Sequence, residues 1–164
     1  MRLPKHCVSS FRSEAMYHLE ANGRHHMDDT KRHQQGMKIR RAVLGDEHVD
    51  RAVATTTDFN RDFQDFITRN AWGEIWTRPG LPRHTRSLLT LAMLIALNRG
   101  EELRTHVKAA FNNGVSRDQI KEVLLQSAIY CGVPAANSAF RIAAEVFKEM
   151  DGKTKTDFKK IKHS

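Results

Sequence analysis

The sequence predicts an all-α fold, and three observations carry that expectation. Apolar residues recur at helical spacing from residue 37 onward. No stretch alternates polar and apolar residues as a half-buried strand does. Gly or Pro interrupts the chain wherever one helix would give way to the next. A length of 164 residues is enough for one domain with a true core. The expected architecture is a helical domain of about six to seven helices.

Residues 1–36 show no sustained periodicity and hold five of the nine histidines, so they are expected to form a disordered extension. A second methionine, Met27, stands as an alternative start within it. The pair His25–His26 has no neighbouring metal-ligand spacing and is expected to be solvated. The domain proper is expected over 37–150, followed by a basic, mobile tail over 151–164. "MKIRRAVL" runs as a helix to Gly45, and Asp46 is placed to cap "DEHVDRAVA". Phe59, Phe63, Phe66 and Ile67 follow one helical face, and a loop is expected between Trp72 and Arg83 because of Gly73 and "RPGLP". Pro82 suits the first turn of "RHTRSLLTLAMLIALN", which is apolar nearly all round from Leu88 to Leu97 and is expected to be central and buried.

A short helix over about 101–112 turns Leu103, Val107, Ala110 and Phe111 inward and ends at "NNG". Ser116 and Gln119 form a capping-box pattern for the next helix, which Gly132 ends. Ala135, Ala136, Ala139, Ala143 and Ala144 lighten the last helix for close packing.

The formal net charge is +8, but its distribution argues against a phosphate-binding face. Residues 1–36 carry six Lys/Arg against four Asp/Glu, residues 151–164 five against two, and the core sixteen against thirteen. Much of the excess therefore sits at the ends. Two cysteines, Cys7 and Cys131, fit a reducing cytoplasm better than a disulfide framework or a zinc site. No apolar run approaches the roughly 20 residues that span a bilayer. The N-terminus lacks the apolar core of a secretory signal.

Two clusters hold candidate chemistry. Glu102 and His106 lie one turn apart beside the Leu103/Val107 stripe, so a carboxylate can orient an imidazole that moves a proton. The plain alternative is an exposed surface pair contributing about 0.3 kcal/mol. "WTRPGLPRHTR" gathers Trp76, Arg78, Arg83, His84 and Arg86 at the start of the apolar helix, with Arg99 directly after it. Guanidiniums there suit an anionic substrate, although such a loop also serves as an ordinary solvated surface. Cys131 is expected to be a small buried apolar residue and Glu122 a surface charge. "AFNNGVSRDQI" has helix-turn-helix spacing, but the helix after it carries acids as often as bases, which suits a helical corner better than a DNA reader.

The joined stretches "AWGEIWTRPGLPRHTRSLLTLAMLIALNR" and "EELRTHVKAAFNNGVSRDQIKEVLLQSAIYCGVPAANSAF" closely resemble the carboxymuconolactone decarboxylase family of the protocatechuate pathway. "QGMKIRRAVLGDEHVDRA" resembles its N-terminal segment, so the likeness covers about residues 35–150. The resemblance implies an alkylhydroperoxidase-like fold. In the related peroxidases a CxxC pair precedes the histidine that His106 matches; here Arg99 and Glu102 occupy the cysteine positions, so no thiol pair exists to cycle.

The resemblance further implies conversion of 4-carboxymuconolactone to 3-oxoadipate enol-lactone and CO₂ without a cofactor or metal. His106 would be the catalytic acid and Glu102 would hold its tautomer and raise its pKa. Arg86, Arg83 and Arg99 would bind the carboxylates of the dianionic lactone, while Trp76 and His84 line the pocket. The family likeness also implies a ring-shaped homo-oligomer, a hexamer, with no nucleic-acid or membrane partner. A helix-turn-helix regulator and a catalytically silent oligomer of the same fold are the competing expectations.

Overall fold

A computed structural model describes residues 28–161, with side chains described for 28–152. The calls on Cys7, on His25 and His26 and on Met27 fall outside the described residues. The described chain is all helical. Helices α1 (Asp29–Leu44), α2 (Asp46–Ala54) and α3 (Arg61–Ile67) lead into a π-helix (Thr68–Ile75). After a short loop come α4 (Arg83–Ala96), α5 (Gly100–Asn112), α6 (Arg117–Tyr130) and α7 (Val133–Ile161).

Helix α1 begins at Asp29, within the stretch expected to be disordered. Asp28 caps it by accepting from the Thr30 backbone N–H at 3.1 Å. Its buried side is narrow, formed by Gly36, Ile39, Arg40 and Val43, too few apolar residues to register as a periodic stripe. What holds it is backbone contact. A Cβ on Gly36 would lie 2.0 Å from the Thr68 carbonyl oxygen, and one on Gly73 would lie 2.4 Å from the Arg32 carbonyl oxygen. The two glycines let α1 and the π-helix meet main chain to main chain, with Trp72 and Val43 packed alongside. Helical structure therefore continues past Gly73 to Ile75, where a loop was expected.

Gly45, at φ +87°, makes the corner between α1 and α2. It is also the cap residue of α2, in place of the expected Asp46, which instead opens the first turn. That sharp corner folds α2 back so that its Val49 is fully buried.

The main core lies between α4, α5, α6 and α7. Leu91 and Ile95 meet Leu103, Val107 and Ala110 of α5, with Ile120, Leu124, Ala139, Ala143 and Val146 completing it. Ala136, Ala139 and Ala143 of α7 are buried and permit the close approach expected of them, whereas Ala144 is exposed. Arg104 reaches from α5 to Glu145 and Glu149 of α7. The Ser116–Gln119 capping box is formed. Helix α7 runs on through Gly152 to Ile161, so the segment expected to be a mobile tail from 151 is helical over its described length.

One expectation of burial fails. Helix α4 buries Leu91 and Ile95 on one side, but Leu89, Met93 and Leu97 are exposed on the other. Phe63 and Phe66 face outward, and Phe59, 98% exposed, precedes α3 altogether. An apolar side chain can satisfy a helical period without having a surface of its own chain to cover it.

Candidate functional site

Helix α5 projects successive turns toward different neighbours. Leu103, Val107 and Ala110 enter the main core. Asn112 donates to the Val43 carbonyl of α1 at 3.1 Å, and Asn113 donates to the Ser87 hydroxyl of α4 at 3.0 Å. His106 is half-buried on the same helix, next to buried Val107. Burial pushes its pKa down to about 4; His48 of α2 adds to the depression, and Glu102 opposes it. Glu102 thus acts in the expected direction, but it is exposed and is outweighed. The expected net raising of the His106 pKa is therefore corrected: at neutral pH the ring is uncharged, a donor at one nitrogen and an acceptor at the other.

His48 is the residue that sequence reasoning passed over. It stands on the first turns of α2, brought to α5 by the Gly45 corner. Its own pKa is lowered, first by burial and then by Arg40, Arg51 and Lys108. A cavity of about 400 Å³ beside it is lined by His48, Arg51, Arg104, Thr105, Lys108 and Asn112, among others. Only the "DEHVD" stretch gave a signal, and spacing alone could not pair a histidine at 48 with one at 106.

The arginine cluster is assembled differently from the expectation. Trp76 packs on Trp72, with ring centroids 5.2 Å apart, and shares a cavity of about 320 Å³ with Ile39, Arg78 and Arg83. Arg86 turns back to donate to the Arg78 carbonyl at 3.1 Å, while its buried Nε has no partner. His84 Nε2 lies 3.0 Å from Gln119 Oε1, tying the start of α4 to the start of α6. Arg83 and Arg99 are exposed, and Arg99 caps α5 through its backbone carbonyl, not its side chain. No hydrogen bond or ion pair among the described residues joins Trp76, Arg83, His84, Arg86 or Arg99 to His106. Cys131 is half-buried and unpaired. Among the described residues, no helix is long and apolar enough to cross a membrane, and no three His, Cys, Asp or Glu side chains converge as a metal-binding set.

Comparison with known proteins places this arrangement in a family. Residues 61–145 match the model of the carboxymuconolactone decarboxylase family. A 4-carboxymuconolactone decarboxylase of Acinetobacter baylyi is 55% identical over 124 residues, 76% of this chain and 92% of that protein. A nitrosuccinic acid decarboxylase of Metarhizium robertsii is 42% identical over 116 residues, 71% of this chain and 81% of that protein. A 4-carboxymuconolactone decarboxylase of Pseudomonas putida is 54% identical over 48 residues, 29% of this chain and 100% of that sequence. The helical fold is the alkylhydroperoxidase-like one of this family. On the family match and on identities spanning most of its length, this chain belongs to the carboxymuconolactone decarboxylase family.

Proposed function

We propose that this protein decarboxylates 4-carboxymuconolactone, giving 3-oxoadipate enol-lactone and CO₂, as a cytoplasmic carboxy-lyase of aromatic catabolism. The observation that carries the reading is the 55% identity to a decarboxylase of that name over 92% of its length. The chemistry suits the residues. The carboxylate leaves a ring carbon that is vinylogous to the lactone carbonyl. The C–C bonding pair moves through the ring double bond onto the carbonyl oxygen, so the substrate supplies its own electron sink. The protein must then stabilise a developing oxyanion and deliver one proton to carbon.

A neutral His106 fits the first task best. Its N–H donates to the oxygen as charge develops there, at no cost of desolvating an imidazolium. As negative charge accumulates beside it the ring becomes more basic, which suits it to hold the proton in transit. Glu102 orients the ring, and burial, with His48 adding to it, keeps the ring uncharged at rest. Arg83 and Arg86, with Trp76 and His84, supply an anion-binding rim at the start of α4, while Arg99 offers a further guanidinium beyond the other end of that helix, where α5 begins. An arginine on the departing carboxylate should not bind it too firmly, because that would stabilise the ground state.

The assembly we propose is a homo-oligomer, with a ring of six as the family likeness implies. Support comes from Leu89, Met93 and Leu97 on one uncovered stripe of α4 and from Ile129 and Tyr130, each 81% exposed, at the end of α6. Subunit packing would also bring the rim arginines of one chain toward His106 of the next. No nucleic-acid role is proposed: Arg117 of α6 pairs with Asp151, leaving Asp118, Lys121 and Glu122 as a mixed surface.

The test is ultraviolet monitoring of lactone loss by purified, chelator-treated protein. Turnover by the wild type and its near-complete loss in His106→Ala at unchanged helicity is the expected result. Full activity in His106→Ala would remove the histidine from the mechanism, and an inert wild type would remove the reaction.

A further inference from the structure

Arg40 is a buried cation without an anion. Only 5% of the residue is exposed, and its charge lies between α1 and the start of the π-helix. Nη2 donates to Gln64 Oε1 at 3.1 Å and Nη1 donates to Thr68 Oγ1 at 3.4 Å, both neutral acceptors. Nε is buried with no partner. Among the described residues no carboxylate pairs with it. Removing a guanidinium from water without a counter-charge is costly, and burial lowers the Arg40 pKa accordingly. A purely structural role would be filled as well by a neutral donor at the same place.

Arg40 is among the residues lining a cavity of about 290 Å³, which also carries exposed Val53 and Arg61. One carboxylate stands on that wall, Asp65, and His33 Nε2 is 3.3 Å from it. Arg61 already pairs with Asp58 at 2.8 Å. With Arg61 paired to Asp58, the formal charges left on the wall are Arg40 and Asp65, and Arg40, the less solvated of the two, has no ion-pair partner among the described residues. Arg40 also acts electrostatically on His48, which in turn acts on His106. A negative charge placed at Arg40 would relieve the field on His48 and favour protonation along that line.

We infer that Arg40 binds a carboxylate of the substrate in the cavity between α1, α2 and α3, a contact the arginines at the start of α4 do not supply. That the carboxylate belongs to a lactone rests on the function proposed above; that a small carboxylate binds at Arg40 does not. Succinate, a dicarboxylate with no group to lose, is the probe for the second point.

In the wild type, adding succinate should shift the Arg40 guanidinium Nε–H resonance, assigned from through-bond correlations in the wild-type protein itself. Succinate should also compete with the lactone. Arg40→Gln should raise KM for the lactone about tenfold or more, with a smaller effect on kcat, as expected for losing one charge-assisted contact. Arg40→Lys should recover part of that loss. An unchanged KM in a folded Arg40→Gln overturns the inference, whether or not its stability changes. Should neither variant fold, an unmoved wild-type resonance at saturating succinate overturns it equally, and a shifted resonance upholds it. A succinate response in protein that leaves the lactone untouched keeps the Arg40 site and rejects the decarboxylase function. Turnover with no succinate response does the reverse.

Discussion

His48 on α2 lies close enough to His106 on α5 to oppose its protonation, and burial together with that repulsion holds the His106 imidazole at about 4. Two histidines on different helices, distant in sequence, are thus linked in charge state. Several measurable consequences follow from this pair and from the packing around it.

The stability curve should carry the signature of His106. Its folded pKa, about 4, lies below the ordinary 6.5. Above pH 6.5 both folded and unfolded chains leave the ring neutral. Between 6.5 and about 4 the unfolded chain takes up a proton that the folded chain refuses, so stability falls as pH falls across that window. The full loss is on the order of 3 kcal/mol for a shift of this size. Urea denaturation of the wild type and His106→Asn from neutral to acid pH should show a shallower decline in the variant. Parallel curves would mean that His106 titrates normally.

Replacing His48 by Asn removes the neighbouring positive potential while keeping a polar side chain. The His106 pKa should rise, though burial keeps it below that of a free imidazole, because burial is the larger cause. Ring-proton chemical shifts followed against pH report this directly. An unmoved titration would show that the two rings are electrically independent.

Gly36→Ala should be among the most damaging single-methyl insertions in the chain. The added Cβ would meet the Thr68 carbonyl oxygen at 2.0 Å, backbone that cannot rotate aside. Prising α1 from the π-helix should cost about 3 kcal/mol or more. It should also loosen Arg40, which bonds Thr68 and Gln64 from the same helix. A denaturation midpoint equal to that of the wild type would contradict the contact.

The uncovered stripe on α4 makes a prediction about assembly. Met93→Glu, at 57% exposure, should be neutral to the fold of one chain but should disrupt a self-associated state. Sedimentation velocity should then show smaller species with undiminished helical circular dichroism. If the wild type itself sediments as a monomer, these side chains do not bury one another.

Ser116→Ala removes one half of the capping box that starts α6, and about 1 kcal/mol of stability should go with it. Gln119 should be felt more widely, since its Oε1 serves both the Ser116 N–H and His84. Comparing thermal midpoints of Ser116→Ala and Gln119→Ala checks the order.

Helix periodicity, capping residues and glycine stops are local properties, and on that account α4 to α7, the Ser116 cap and the inward stripe of Leu103, Val107 and Ala110 were legible in the amino-acid order alone. So was the electrostatic influence of Glu102 on His106, because side chains one turn apart must share a face. The second half of α1, "MKIRRAVL" up to Gly45, was legible as well, but its first half from Asp29 was not, since Gly36 secures it by permitting contact and no apolar stripe demands it. Nor was the outward aspect of Phe63, Phe66 and Met93, because a period shows which residues lie together and not what lies opposite. Tertiary structure alone set His48 beside His106 and enclosed Arg40 without a counter-ion. Charge states in a folded chain depend on burial and on neighbours distant along the sequence, and both exist only once the helices have packed.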